Sequence, residues 1–329
     1  IDSNGGAVEL RNLHASGSVV GNGAGGVIGF GRGTQPISLY AWWDTDSTGQ
    51  PSSIGHSGSD FNGVVVTTSA ADRYSHDRYA DFGDWTETAP SSGIWQASDS
   101  NGVQWIMIEG RTRPFLASEY STTIRNAHQL QLMAYDLGAS YRLAGDIDTS
   151  ATSTAYGAGS SGMWSSRGFS PVGTWGNGAN FTGALDGQGH SIQRLTIQSA
   201  DSFAGLFGLV GSGAQIRNVG LADARVEVSS GSGSHQVGAL VGHNAGSISN
   251  SWVSGGNIKA ASNGVQNEAG GLVGQNTGGS ISDSHALASV TVQGDATRNY
   301  AGGLVGHSNG GSIERSYATG SAVSDGGVY

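Results

Sequence analysis

The sequence predicts an all-β fold: a right-handed parallel β-helix (solenoid) with one short helix and an irregular connector. Three observations predict this class. Glycine supplies 57 of the 329 residues and charged residues only 12%, which favours turn-dense layers of small side chains over a disordered polyelectrolyte. A pattern recurs about every 32 residues, which is typical of solenoids. Helical periodicity is confined to one short segment.

Two landmarks measure the repeat: a Gly-Leu-Val-Gly type of core, and an isoleucine in a Ser-Ile-x-Asn-Ser type of segment. Because both keep one period, each repeat is expected to be one coil with three short strands and Gly-, Asn- and Ser-rich corners. Leu272 and Leu304 are expected to stack in the core of adjacent coils. The leucines lie at 206, 240, 272 and 304, spaced by 34, 32 and 32 residues, and the isoleucines lie at 216, 248, 281 and 313, spaced by 32, 33 and 32.

The repeat does not run through the whole chain, so four parts are predicted. Residues 1–39 form the end of a repeat array, and residues 40–113 form a connector with a β-hairpin. Residues 114–201 start the next module with a short helix, a strand and a long loop, and residues 202–329 form an array of about 32-residue coils. The chain reads as a fragment of a tandem protein. A further module is expected to stack at each end, because an uncapped solenoid end exposes strand edges.

Local signals place the hairpin and the helix. Residues 100–102, Ser-Asn-Gly, separate two alternating apolar segments, and this combination is typical of a hairpin. Asn126 is a suitable N-cap residue, with Gln129 three positions later as its capping-box partner. An apolar face then continues, so a helix is predicted over residues 126–137.

Charge and cysteine content exclude several classes of function. The net charge of −10 disfavours nucleic acid. The absence of cysteine excludes disulfides and thiolate metal sites. No apolar run approaches 18 residues, so no membrane span is expected, and no signal peptide is recognised at the start. No Gly-Lys-Ser/Thr phosphate loop occurs, and no cofactor is predicted.

The repeats resemble a known family. Gly-Leu-Val-Gly at residues 271–274, followed by Gly-Ser-Ile-Ser-Asp-Ser at residues 279–284, is similar to the GLUG motif of bacterial surface proteins. Residues 113–120, 145–148 and 185–190 resemble filamentous-haemagglutinin-like exoproteins of two-partner secretion systems (TpsA-type adhesins). GLUG repeats also occur in some IgA-cleaving metallopeptidases, but those need a His-Glu-x-x-His zinc helix, which this sequence lacks.

The resemblance implies a function and a location. It implies a secreted or cell-surface fibre that mediates surface, matrix or cell–cell attachment, as in biofilms. It also implies an outer-membrane transporter as a partner, together with further copies of the module and a carbohydrate or host surface. No enzymatic activity is predicted.

The alternative to an adhesive fibre is a β-helical carbohydrate-active enzyme, either a polysaccharide lyase or a glycosidase. The visible candidates for its acid and base are Asp146 with Asp148, and Asp186 near His190. Each aspartate lies in a Gly-flanked turn, where it is expected to bond its own backbone. A structural role is therefore the favoured interpretation.

One segment partly matches a calcium loop. Asp44, Asp46 and Thr48 alternate and a glycine follows, but Gly55 occupies the position of the bidentate acid. An Asp-rich turn is the favoured interpretation. The nine histidines show no short metal-binding spacing, so no other metal site is predicted.

A column of outward side chains is the candidate contact surface. If Ile248, Ser251 and Val253 point inward around a corner, Trp252 points outward, and His285 and Tyr317 are its counterparts in later repeats. Exposed aromatic groups on a rigid face can bind sugars or a partner fibre. Stacking that only stabilises the coils is the favoured alternative.

Overall fold

The computed structural model has an all-β fold within the residues that it describes. It contains a parallel β-solenoid of about four turns, an antiparallel sheet and a single short α-helix. The predicted class is confirmed, and the right-handed sense of the coil stays a prediction. The described residues are 73–89, 91–156, 162–173, 179–229 and 233–326, with strand segments and a few single residues between 8 and 67.

Each coil contributes five short strands, which stack in five parallel sheets. The prediction of three strands per coil is wrong, because the Gly-Leu-Val-Gly core and the Ser-Ile-x-Asn-Ser segment each bend at a corner and supply two strands. We number the sheets in the order in which a coil enters them. The strands of sheet one are Thr123–Ile124, Ser140–Leu143, Ala184–Asp186, Gln215–Arg217, Ser247–Ser249, Ser280–Ser282 and Ser312–Glu314.

The other four sheets follow the same coil-to-coil order. Sheet two contains Ile147–Asp148, Ser191–Gln193, Gly220–Ala222, Trp252–Ser254, His285–Ala286 and Tyr317–Ala318. Sheet three contains Thr196–Ser199, Arg225–Val228, Asn257–Ala261, Ser289–Gln293 and Ala322–Ser324. Sheet four contains Phe203–Ala204, Ser234–Gly238, Gln266–Gly270 and Arg298–Gly302. Sheet five contains Phe207–Val210, Val241–Asn244, Val273–Thr277 and Val305–Asn309.

The corner between sheets one and two explains the Asn or Asp of the repeat. One residue in each of four coils has a positive φ there: Asn218, Asn250, Asp283 and Arg315, at 54°, 48°, 52° and 46°. Asn and Asp tolerate this left-handed conformation better than most side chains. Such a residue therefore turns the chain without a glycine.

A serine follows this corner and links one coil to the next. The Ser284 hydroxyl accepts a hydrogen bond from Ser251 N at 3.2 Å and donates to Ser282 O at 2.7 Å. Ser316 accepts in the same way from Ser284 N. Ser251 and Ser284 are buried, so the ladder satisfies backbone N–H groups that burial would otherwise leave without a partner.

Sheets four and five approach each other closely, and this approach explains why the last residue of Gly-Leu-Val-Gly is a glycine. A Cβ on Gly274 would overlap the backbone of Val237 and Gln236 in the preceding coil. Only a residue without a side chain allows this approach.

The core consists mainly of aliphatic columns that run through the coils, with aromatic rings in the first coils. Ile248, Val253 and Leu272 are buried as predicted, with Leu272 fully inaccessible. Leu304 packs against this core but is only partly buried. Its contact with the core agrees with the predicted stacking of the two leucines in adjacent coils.

The helix is shorter than predicted. It spans Ala127–Gln131, and the chain then tightens into a 3-10 helix, Leu132–Tyr135. Asn126 Oδ1 accepts from Gln129 N at 2.9 Å, as a capping residue should, but the Gln129 side chain accepts from Arg125 N instead of the N-cap N–H. The tighter turn lets the segment face two cores, with Leu130 and Met133 in the solenoid and Leu132 against the antiparallel sheet.

The antiparallel sheet contains the predicted hairpin. Its central strands pair from Ile94 opposite Ile108 to Asp99 opposite Gly102, with an irregularity near Ala97. Gly102 has a φ of 105°, which a glycine adopts at low cost. The strands of this sheet are Asp84–Glu87, Ile94–Asp99, Gly102–Ile108 and Phe115–Leu116, and the other 3-10 helices are His76–Phe82, Ala117–Glu119, Ser150–Thr152 and Thr154–Tyr156.

Buried polar contacts join the antiparallel sheet to the solenoid. Arg111 is 1% exposed and forms an ion pair with Asp201, which lies between sheets three and four. Burial lowers the pKa of the Arg111 guanidinium, and the Asp201 carboxylate opposes that effect. The indole of Trp164 donates to the Gln131 side chain at 2.9 Å.

Parallel pairing also occurs near the start of the chain, as the predicted repeat pattern there requires. It continues to Thr67, within the segment predicted as a connector, and the four-part division of the chain stays a prediction. Val8–Ala15 pairs with Ile37–Trp43, which pairs with Phe61–Asn62 and Val65–Thr67, and Ile28–Gly31 pairs with Ile54–Ser57.

Candidate functional site

The predicted outward column exists on sheet two. Trp252, His285 and Tyr317 occupy one register position in successive coils. The His285 and Tyr317 rings stack with centroids 4.9 Å apart and planes 2° from parallel. The indole of Trp252 lies over Gly220, where a Cβ would overlap it. His285 and Tyr317 therefore form one stacked pair, whereas the Trp252 indole lies toward the preceding coil.

The stacking limits what the column can bind. The spacing of 4.9 Å between the His285 and Tyr317 rings matches the strand spacing of a sheet, so each of these two rings covers a face of the other. Sugars stack on ring faces, and the two faces in this contact are not accessible to them. The geometry supports coil stabilisation more directly than sugar recognition.

The candidate acid–base aspartates have separate partners. Asp148 lies 2.8 Å from Arg194 and accepts from Ser150 N. Asp146 accepts from Ser191 N at 2.8 Å. Bonding to the local backbone was expected for both, and for Asp146 this is wrong, because its bond reaches the next coil. In both cases the backbone hydrogen bond is the main reason that the pKa of the carboxyl is low.

Asp186 is held in a similar way. Its carboxylate accepts from Gln188 N at 2.9 Å, as predicted for a turn, and from Asn218 and Arg217 at 3.0 Å each. Burial raises the pKa of Asp186, but these hydrogen bonds outweigh burial and hold the pKa below its usual value. A general acid needs a raised pKa, so Asp186 is poorly suited to that role.

The calcium candidates Asp44, Asp46 and Thr48 lie outside the described residues. Among the described residues, no group of three or more His, Cys, Asp or Glu side chains is placed to hold a metal ion.

A buried carboxylate between sheets four and five was not predicted. Glu268 has 0% side-chain exposure, and its Oε1 lies 2.6 Å from Nδ1 of His307 in the next coil. The amides of Gln275 and Gln266 also donate to Oε1, the former at 3.4 Å. Oε2 is buried without a hydrogen-bond partner. We call these four residues the Glu268 cluster.

The alternation of side chains along a strand explains why this cluster was not predicted. Glu268 shares its register position with Gln236 and Tyr300, and alternation with buried Ala269 places it on the outer face. Side chains on that face of a strand are normally exposed. The available signal was a single acid at a position that is otherwise uncharged. Its pairing with His307, 39 residues later, depends on the close approach of sheets four and five.

Comparisons with known proteins support a repeat protein. The family defined by the GLUG motif matches residues 266–291 and 297–324. Halomucin from Haloquadratum walsbyi is 39% identical over 118 residues, which are 35% of this chain and 1% of that protein. The crystal structure of an immunoglobulin A1 protease candidate from Bacteroides ovatus covers 63% of this chain and 83% of its own, with a TM-score of 0.33 and 16% identity. That structural similarity is too low to carry an argument.

The fold and the motif together define a β-solenoid with GLUG repeats, which fits a surface repeat protein. The chain spans about 1% of the length of the curated relative that it matches. In the part of the chain that the structure describes, no helix has the length and apolar character needed to cross a bilayer.

Proposed function

We propose that this chain is a shaft segment of a secreted or cell-surface adhesin of the filamentous-haemagglutinin-like, two-partner-secretion type. The observation that carries the proposal is the in-register stacking of successive coils through five parallel sheets. Such a stack resists bending and carries any weak surface contact at a regular spacing. The GLUG repeats and the similarity to halomucin support it.

The proposed partners are further copies of the module, a carbohydrate or host surface, and an outer-membrane transporter. Repeated weak contacts give strong attachment through avidity. Catalysis has no part in the proposed role. The separate partners of Asp146, Asp148 and Asp186 agree with this.

Attachment of coated beads tests the proposed function. Beads carrying the chain at high density should bind host-cell, matrix or polysaccharide surfaces, whereas the soluble chain should bind weakly. Equal, negligible binding of coated and bare beads to every surface would contradict adhesion. Cleavage of an acidic polysaccharide that is lost in Asp186→Ala would favour the enzymatic alternative.

The same assay tests the column on sheet two. Alanine variants of Trp252, His285 and Tyr317 should bind less if their ring edges contact the partner. Unchanged attachment with a lower Tm would assign the column to coil stabilisation alone.

A further inference from the structure

We propose that the Glu268 cluster is a binding site for a divalent transition-metal ion, with Zn²⁺ as the best-suited ion. The carboxylate of Glu268 and the imidazole of His307 are its two strong ligands. The amide oxygens of Gln266 and Gln275 complete it. The proposed site lies on the outer side of sheets four and five in two adjacent coils, and it is independent of adhesion.

The environment of the Glu268 carboxylate indicates a bound ion. Glu268 has 0% side-chain exposure, yet only Oε1 has hydrogen-bond partners, and Oε2 is buried without one. Burying a carboxylate oxygen without a partner is unfavourable, and such a group in a native fold calls for a bound water or ion. A cation bound to the carboxylate would compensate for this cost.

Three side chains converge on one oxygen of this carboxylate. A nitrogen atom of each of His307, Gln275 and Gln266 contacts Oε1 of Glu268. Gln275 Nε2 and His307 Nδ1 lie 3.3 Å apart. Ligands about 2.1 Å from a tetrahedral metal are separated by roughly 3.4 Å. Both the His307 ring and the Gln266 amide lie closer than this to Oε1, so a bound metal requires each of them to move outward by roughly 1 Å.

The amides can serve as ligands after a simple rotation. A glutamine amide carries an acceptor oxygen and a donor nitrogen, and a half turn exchanges them. Without a metal, Gln266 and Gln275 direct N–H groups at the carboxylate. With a cation in place, the same side chains would present oxygen.

The ligand set selects the class of ion. Imidazole and carboxylate together suit Zn²⁺ and similar first-row ions. Ca²⁺ needs six to eight oxygen ligands, more than one carboxylate and two amides supply.

Thermal unfolding of the full chain tests the site. After chelator treatment, ZnCl₂ at about 100 times its Kd should raise the Tm of the native chain by about 3–6 °C. Glu268→Gln and His307→Gln should lose the shift. His285→Gln is the matched control, because it removes a histidine from sheet two and should keep the shift. Co²⁺ should give visible absorption bands of a four-coordinate site in the native chain only.

Several results would overturn the proposal. These are no shift with Zn²⁺, an equal shift in His307→Gln, or an equal shift with Ca²⁺. If Glu268→Gln does not fold, His307→Gln decides the question, because it keeps the carboxylate and removes one ligand. A Zn²⁺ shift in the native chain that persists in both variants would place the ion elsewhere.

Discussion

The antiparallel sheet and the solenoid bury their side chains by different means. The first region encloses large and charged groups, such as Trp105, Trp164 and Arg111, each at most 4% exposed. The solenoid encloses mainly aliphatic side chains, with the rings of Tyr141, Phe181 and Phe207 in its first coils, and serine ladders satisfy part of its buried backbone. In the solenoid, most side chains pack against the residue in the same position of the next coil. In the antiparallel sheet, each large residue needs one particular distant partner.

This difference indicates which region can unfold locally and which cannot. A repeated coil depends on its nearest neighbours, so damage should spread along the axis one coil at a time. The antiparallel sheet depends on contacts such as Arg111 with Asp201, which join it to the solenoid across 90 residues. Damage there should loosen both regions together.

Trp164→Ala should have the largest effect. The side chain is 1% exposed, packs edge-on against Phe115, and donates to Gln131 at 2.9 Å. Its removal leaves a cavity between the two cores and should reduce the free energy of unfolding by about 3–5 kcal/mol. Denaturant unfolding measures this. Trp252→Ala, a partly exposed tryptophan, should cost much less, and equal costs would refute the difference between the two sites.

Leu272→Ala should cost about 2–5 kcal/mol, because Leu272 is fully buried between two coils. Hydrogen exchange should quicken in the neighbouring coils before it does in the antiparallel sheet. Leu287→Ala is the control, since Leu287 is 42% exposed and should cost less than about 0.5 kcal/mol. Uniform loss of protection in both regions would show that the solenoid does not unfold locally.

The same contrast explains what the sequence could predict. Repetition reveals period, inward columns and corners, so Ile248, Ser251 and Val253 were placed correctly, as was the turn at Asn250. Local signals also identified the N-cap Asn126 and the hairpin near Gly102. Repetition alone could not give five strands per coil, because strand ends depend on how sharply each corner bends.

The contacts that sequence reasoning missed are those between non-equivalent positions. Glu268 and His307 meet because sheets four and five approach closely at glycines such as Gly274. Arg111 meets Asp201 because a unique segment packs on the solenoid. Neither pairing follows the 32-residue period, so no pattern in the sequence marks them.

Ser284→Ala should have an intermediate effect within the solenoid. Its hydroxyl is the acceptor for buried Ser251 N, and leaving that N–H without a partner should cost about 1–3 kcal/mol. Ser280→Ala is the control, because Ser280 lies on the outward face of sheet one and is partly exposed. A thermal unfolding series compares the two. Equal, small changes would mean that the serine ladder contributes little.

Replacing His243 with glutamine should change the free energy of unfolding least, and the size of this change should depend on pH. Burial lowers the pKa of His243 below its ordinary value, and a hydrogen bond with Gln275 offsets only part of that shift. Its packing neighbour Phe203 is uncharged. The unfolded chain therefore binds a proton at His243 more readily than the folded chain does. The contribution of neutral His243 to the free energy of unfolding is thus fully present above about pH 6.5 and decreases as the pH falls below that value.

Urea unfolding between pH 7.5 and 5.5 checks this dependence. Other groups also titrate, so the informative quantity is the difference between the native chain and His243→Gln, which cannot take up the proton. The native chain should lose stability relative to the variant as the pH decreases, since protonation would place a charge in a partly buried site between coils. Parallel pH profiles would mean that the histidine remains solvated in the folded chain, and that sheet five is open enough at this position to admit water.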